Sequence, residues 1–234
     1  MNDQPLEDHF VVCGWNAQGS RMIDDLLSVR PPLRVAIVCR RPAEAIAALP
    51  DHPNFSFWRG DPSHPATLQK VNVASARAVV ILAERGEKSR TQTVDARTIL
   101  TALSIRRLSE NIFILAELRR KENLDLVLDA GVDEWVMADH FSGAILSLSV
   151  QSPGLSELFT KLFETGAGYV LSAQPVPDRL LGQYFSRALP QTIEMGLGAL
   201  AGLQRDGELF LPPAEDLLLG TKDQLLLVRP ISSR

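Results

Sequence analysis

Short apolar runs separated by amphipathic stretches fill the first part of the chain. Phe10–Cys13, Val35–Cys39, Phe55–Trp58, Ala78–Leu82, Ile112–Ala116 and Glu134–Met137 have the length and bounds of strands. Between them, Gly19–Val29, Pro42–Leu49, Pro65–Val71, Thr91–Arg107 and Lys121–Ala130 are predicted helices, the last stopped by Gly131 as a C-terminal cap. Strands interleaved with helices imply a parallel sheet, and apolar residues at successive strand positions imply that helices cover both faces. The predicted fold class is α/β: a Rossmann-like doubly wound parallel sheet with its ligand crevice at the carboxyl ends of the strands.

From Ser142 the pattern changes. Ser142–Val150 and Leu155–Glu164 read as two helices interrupted by Ser152-Pro153-Gly154, a helix-turn-helix crossover. Leu155, Leu158, Phe159, Leu162 and Phe163 form a helical stripe too apolar to stay wet, so either the sheet of its own chain or a second chain must cover it. After Gly166-Ala167-Gly168 a small α+β C-terminal lobe is expected. It comprises strands at Tyr169–Ala173, Leu197–Leu203, Glu208–Leu211 and Gln224–Val228, with a short helix near Leu180–Ala188. Arg205-Asp206-Gly207 carries the Asp-Gly pair of a tight hairpin, where positive φ is required.

Composition narrows the function. The chain has 234 residues, 45% of them hydrophobic, enough for one large or two smaller cores. A formal net charge of −4 argues against binding a phosphate backbone, so nucleic acid is not an expected partner. No apolar run approaches the roughly 20 residues of a membrane span, and the acidic start Met1–Asp8 does not read as a signal peptide; a cytoplasmic location is expected. Cys13 and Cys39 end two predicted strands and read as buried free thiols. His9, His52, His64 and His140 are dispersed without metal-ligand spacing, so no metal site is expected, and no nucleophile elbow or catalytic triad order is visible.

The densest chemistry is at the first strand-to-helix turn, His9-Phe-Val-Val-Cys-Gly-Trp-Asn-Ala-Gln-Gly-Ser20. Gly14 permits a tight reversal, Gly19 a close approach of helix to sheet, and the helix start presents backbone N–H groups to a phosphate. The middle glycine of the usual dinucleotide pattern is replaced by Asn16, which narrows the space and adds hydrogen bonds of its own. A Gly14→Asp variant is expected to abolish nucleotide binding and leave the fold intact. At the end of the second strand, where a dinucleotide binder usually places an acid on the ribose, stand Cys39-Arg40-Arg41. An arginine there suits a phosphorylated ribose or a free phosphate. Asp61 ends the third strand and either contacts adenine or ribose or caps the next helix. The mixed-charge run Glu84–Arg90 reads as a solvated loop.

These segments together resemble the domains that regulate conductance of potassium, the RCK or KTN family of potassium channels and Trk/Ktr-type transport systems. The resemblance rests on His9–Trp15, Trp58-Arg-Gly-Asp-Pro-Ser63, Val73–Ile81, Ile114-Leu-Ala-Glu117 with Glu122-Asn123, Ala130-Gly-Val-Asp133, Arg205–Pro213 and Leu219–Leu227. It implies a linker at 1–8, a Rossmann-like lobe at 9–141, a dimerising crossover at 142–166 and a C-terminal lobe at 167–234. The role it implies is regulatory, not enzymatic: a ligand sensor that forms homodimers, in some members an octameric ring, and gates a membrane-embedded potassium channel pore or transporter subunit at the inner face of the cell membrane. The ligand-contacting set is Gly14, Trp15, Asn16, Gly19, Arg40, Asp61 and Glu117, which faces the crevice in the family and whose alternative is an ion pair with Arg119 or Arg120. The ligand expected is an adenine nucleotide or NAD(P)(H). The acidic calcium cluster of one branch maps here to Leu82, Glu117 and Arg119, which cannot supply six to eight oxygens, so calcium is not expected at that site. Rival readings are an NAD(P)-dependent oxidoreductase, suggested by the fold pattern alone, and a scaffold with a decayed nucleotide site.

Overall fold

A computed structural model describes residues 6–28, 31, 33–46, 49–84, 91–163 and 169–230. The chain divides into two compact units, Met1–Gly143 and Ala144–Arg234.

In the first unit β1 (Phe10–Cys13), β2 (Val35–Cys39), β3 (Phe55–Arg59), β4 (Ala78–Ile81), β5 (Phe113–Glu117) and β6 (Glu134–Val136) form one parallel sheet in the order β3-β2-β1-β4-β5-β6. The order reverses between β1 and β4, which is where such sheets open a crevice. Alternate strand residues point to opposite faces, and at the central strands both faces are dry. Val11, Cys13, Val38, Val79 and Ile81 join one core cluster with Leu68 and Ile105, while Val12, Ile37 and Cys39 join another with Ile23 and Leu27. Burial on both faces explains why these strands read as continuous apolar runs. Both cysteines are buried free thiols, as expected.

The helices are α1 (Ala17–Ser28), α2 (Pro65–Lys70), α3 (Thr91–Arg106) and α4 (Leu124–Asp129). The helix expected at Pro42–Leu49 is replaced by one 3-10 turn, Ala43–Ala45, after which Ile46 is extended and buried; residues 47 and 48 lie outside the described residues. Eight residues starting at a proline are too few to sustain a helix against the gain of seating Ile46 in the core. The helix expected at Lys121–Ala130 splits into a 3-10 turn, Lys121–Asn123, and α4. Its predicted stop is present: Gly131 has φ +86°, its N–H donates to Leu128 O at 2.8 Å and Val132 N–H donates to Val127 O at 3.3 Å, the two bonds of a Schellman motif.

The crossover comprises α5 (Ala138–Gln151), which starts four residues earlier than expected, and α6 (Leu155–Phe163). No residue of α5 is buried; Leu146 is 69% and Val150 85% exposed.

The second unit holds an antiparallel sheet of β7 (Tyr169–Pro175), β8 (Ala199–Arg205), β9 (Glu208–Phe210) and β10 (Gln224–Pro230), ordered β7-β10-β8-β9, with α7 (Phe185–Glu194). Leu180, Phe185, Ala188, Leu203, Leu225 and Leu227 form its core. The β8–β9 hairpin turns on Asp206 (φ +49°) and Gly207 (φ +85°), as the Asp-Gly pair predicts. The helix of this unit lies later than expected. Gly182, at φ +72°, interrupts the segment near Leu180, and α7 then runs through Pro190 to Glu194. Pro190 removes one backbone donor, yet burial of Phe185, Ala188 and Thr192 along one face holds the helix on both sides of it. Asp223, nearly buried, takes a bidentate pair of bonds from Arg205 at 2.8 and 2.7 Å.

Candidate functional site

The parallel ladder runs on beyond the strands into the crevice: Gly14 N–H donates to Val38 O and Leu82 N–H to Cys13 O, each at 2.8 Å. The β1–α1 turn is thereby pinned between the ends of β2 and β4. Gly14 has φ +92°, and a Cβ there would lie 2.9 Å from Leu82 O. Any side chain at this position is strained and meets backbone, so Gly14→Asp disturbs the turn itself, contrary to the expected intact fold. Gly19 faces Leu82 and the Trp15 ring, which a Cβ would approach at 3.0 and 3.4 Å. Trp15 is itself buried among the core residues between α1 and the sheet.

Asn16 is the N-cap of α1. Its Oδ1 accepts the N–H groups of Gln18 and Gly19, both at 3.1 Å, the donors that a dinucleotide fold leaves for pyrophosphate. Its Nδ2 donates to Glu117 Oε2 at 2.5 Å. Glu117, 7% exposed at the end of β5, also accepts Ala83 N–H at 3.0 Å and an Arg119 guanidinium N–H at 3.2 Å. Arg119 is as buried as Glu117 and reaches on to Asp139 in the first turn of α5 at 3.2 Å. A continuous polar chain therefore joins the start of α1 to the start of α5. At Glu117 both oxygens already accept from donors, one of them cationic, so a calcium ion there would have to displace the Arg119 guanidinium. Asp95, fully buried on α3, fixes the loop after β5 by accepting Arg119 N–H at 3.0 Å, Arg120 N–H at 3.1 Å and Asn123 Nδ2 at 2.7 Å; burial pushes its carboxyl up from the usual range.

On the other side of the turn, Cys13, Gly14, Arg40, Asp61, Leu82, Glu84, Arg97, Thr98 and Thr101 line a crevice at the switch point. Arg40 donates to Glu84 Oε2 from Nη2 at 2.9 Å and Nε at 3.3 Å, and Arg41 Nε lies 3.7 Å from the other oxygen. The Glu84 side chain is only 10% exposed. It crosses from the end of β4 to the end of β2, directly above Gly14, whose missing Cβ would be 3.6 Å from Glu84 Cβ. The space left between these groups is about 20 Å³, room for one water. Asp61 does not cap α2, whose N-cap residue is His64; it accepts Ser63 N–H and Oγ–H at 3.0 and 2.7 Å. Burial raises the Asp61 carboxyl, but the Ser63 bonds and the nearby Arg40 outweigh it and the net shift is downward. Burial pushes the Cys13 thiol up to about 12, so it lines the crevice as an uncharged, unreactive group.

The predicted residues thus fall into three groups. Gly14, Arg40 and Asp61 share the crevice, whereas Asn16 and Glu117 are bonded to each other beside it and Gly19 and Trp15 support the turn from the core. Sequence reading missed Glu84, Asp95 and Arg97. Glu84 heads a mixed-charge run that looks like any solvated loop; its place just after the strand at the order reversal was the available clue. Residues 85–90 of that run lie outside the described residues. Among the described residues no group of three or more His, Cys, Asp or Glu could hold a metal, and no helix is long and apolar enough to cross a membrane.

Residues 5–116 match the family of calcium-activated potassium channel slowpoke-like RCK domains. The calcium-gated potassium channel TvoK of Thermoplasma volcanium is 22% identical over 227 residues, covering 97% of this chain and 63% of that protein. A putative potassium channel protein of Bacillus subtilis, YugO, is 24% identical over 224 residues, covering 94% of this chain and 65% of that protein. The chain thus spans less than two thirds of the length of these relatives. Among solved structures, the human SLO3 gating ring superposes with a TM-score of 0.69 at 17% identity, over 94% of this chain and 44% of that one. Matched sequence over residues 5–116 and shared architecture over 94% of the chain lead to one conclusion: the chain is similar in sequence and fold to the RCK domains of potassium channels.

Proposed function

We propose that this chain is a cytoplasmic regulatory domain that senses an adenine nucleotide in the crevice above the β1–α1 turn and so controls a potassium channel or transporter. The observation that carries the gating role is the match to potassium channels over nearly the whole chain. Two features of this chain support the sensing role. Arg40 and Arg41 place guanidinium groups at the switch point, where they suit an anionic group of the ligand and where an acid would suit plain ribose hydroxyls. The bonded series Asn16–Glu117–Arg119–Asp139 gives a physical route from that turn to α5.

The exposed apolar residues of α5 and α6 are the surface through which a second copy docks. A ligand can gate only by binding one arrangement of the copies more tightly than the other. The pyrophosphate donors at the α1 start are already used by Asn16, so the nucleotide is held mainly through the arginines rather than by the helix start. A crevice filled by its own side chains also favours a second reading, a constitutive scaffold without a ligand.

A thermal-shift panel of ATP, ADP, AMP, NAD, NADH, NADP, NADPH, calcium and magnesium separates these readings, because a ligand bound only by the folded state raises the melting temperature. The sensor reading expects a rise with phosphate-bearing adenine nucleotides. A flat response to every nucleotide leaves the scaffold.

A further inference from the structure

Resting on the nucleotide reading above, we propose that Glu84 is a built-in anionic competitor for the ligand: its carboxylate occupies the Arg40–Arg41 guanidinium groups, and a ligand enters only by bringing an anionic group that displaces it. Three observations converge on this residue. Glu84 takes two bonds from Arg40 and lies 3.7 Å from Arg41, so one carboxylate serves both cations at the end of β2. It does so from the end of β4, across the β1–α1 turn, the space a nucleotide must cross in a sheet of this order. With the carboxylate in place the crevice holds about 20 Å³, too little for any nucleotide group.

The exchange has a chemical consequence for selectivity. Arg40 and Arg41 lose a charged, largely buried partner when Glu84 leaves, and a neutral ribose hydroxyl cannot replace it. A phosphate can, because its anionic oxygens accept charge-assisted bonds from a guanidinium as the Glu84 carboxylate does. Glu84 therefore sets a threshold: ligands carrying phosphate at the β2 end pass it, and ligands presenting only hydroxyl groups there do not.

The test is calorimetric titration of the whole chain with ADP, and with adenosine as the phosphate-free control, in wild type, Glu84→Gln, Arg40→Ala and the double variant. Glutamine keeps the length of the side chain and removes its charge. Loss of a competing charge at a partly buried guanidinium is expected to tighten ADP binding about tenfold or more, to ease the exclusion of adenosine, and to give no gain for either ligand once Arg40 is absent. Matching far-ultraviolet circular dichroism and melting curves establish that each variant is folded, and Glu84→Ala serves if Glu84→Gln is not. Equal ADP affinity in wild type and Glu84→Gln, or weaker binding in the variant, overturns the competitor role while leaving the nucleotide site standing. Absence of ADP binding in both proteins overturns the nucleotide reading itself.

Discussion

Replacing Asn16 by alanine removes both ends of a junction. At the helix, the N–H groups of Gln18 and Gly19 lose the oxygen that caps them at 3.1 Å, a loss of about 1 kcal/mol. At the sheet, buried Glu117 loses its donor from Nδ2 and keeps Ala83 N–H and Arg119. Removal of a hydrogen bond to a charged group costs about 1.5–3 kcal/mol. Asn16→Ala should therefore destabilise the first unit by about 2.5–4 kcal/mol. Trp15, Trp58 and Trp135, the only tryptophans, all lie in that unit, so urea unfolding followed by tryptophan fluorescence reports on it alone. Asn16→Asp keeps the cap but sets a second carboxylate against Glu117, and Glu117→Gln should rescue it. A double-mutant cycle of Asn16→Ala with Glu117→Gln isolates the bond, with an expected coupling of about 1.5 kcal/mol or more. A coupling below about 0.5 kcal/mol, the scatter expected of independent sites, would refute the junction.

Other outcomes follow from the same geometry. Arg106 donates to Gly131 O, to Ile112 O and to Asp133 Oδ2, tying α3 to the α4–β6 connection. Arg106→Met should lower the stability of the first unit by about 2–3 kcal/mol in the same fluorescence assay, since two partly buried carbonyls and a carboxylate lose a charged donor; a change within about 0.5 kcal/mol would contradict that role. The Arg205 bond holds the Asp223 carboxyl below its usual value. Asp223 therefore adds stability that is complete above its unfolded value near 4 and disappears as pH falls through the lower folded value. The melting gap between wild type and Asp223→Asn should narrow below about pH 4, and a gap independent of pH would show that the charge is irrelevant. Val150→Arg puts a cation on the most exposed apolar position of α5 and should weaken self-association in sedimentation velocity without altering the circular dichroism spectrum. Unchanged association would locate the interface elsewhere.

Sequence pattern carried the strands far better than the connections. Val11, Val12, Ile37 and Val38 are buried on both faces, and so they stand out as uninterrupted apolar runs. Residues 42–49 misled because their helix-forming alanines say nothing of Ile46, whose burial straightens the chain there. Near α7 the proline that normally ends a helix was overruled by tertiary packing of Phe185 and Thr192. The site was legible in its backbone parts, Gly14 and Gly19, and in the arginine at the end of β2. Its side-chain partnerships were not. Asn16 meets Ala83 and Glu117 across 67 and 101 residues of sequence, and Arg40 meets Glu84 across 44. Pairings at such separations are set by strand order, and no local pattern encodes them.

Hydrogen–deuterium exchange of the whole chain, with and without saturating ADP, tests the central claim most directly because it reads the crevice and the crossover in one experiment. The account predicts slower exchange at the β1–α1 turn and the ends of β2 and β4, together with a change in α5, where the Glu117–Arg119–Asp139 series ends. Protection confined to the crevice, with α5 unaltered, would contradict the proposed sensing role, and no protection at all would contradict the nucleotide site.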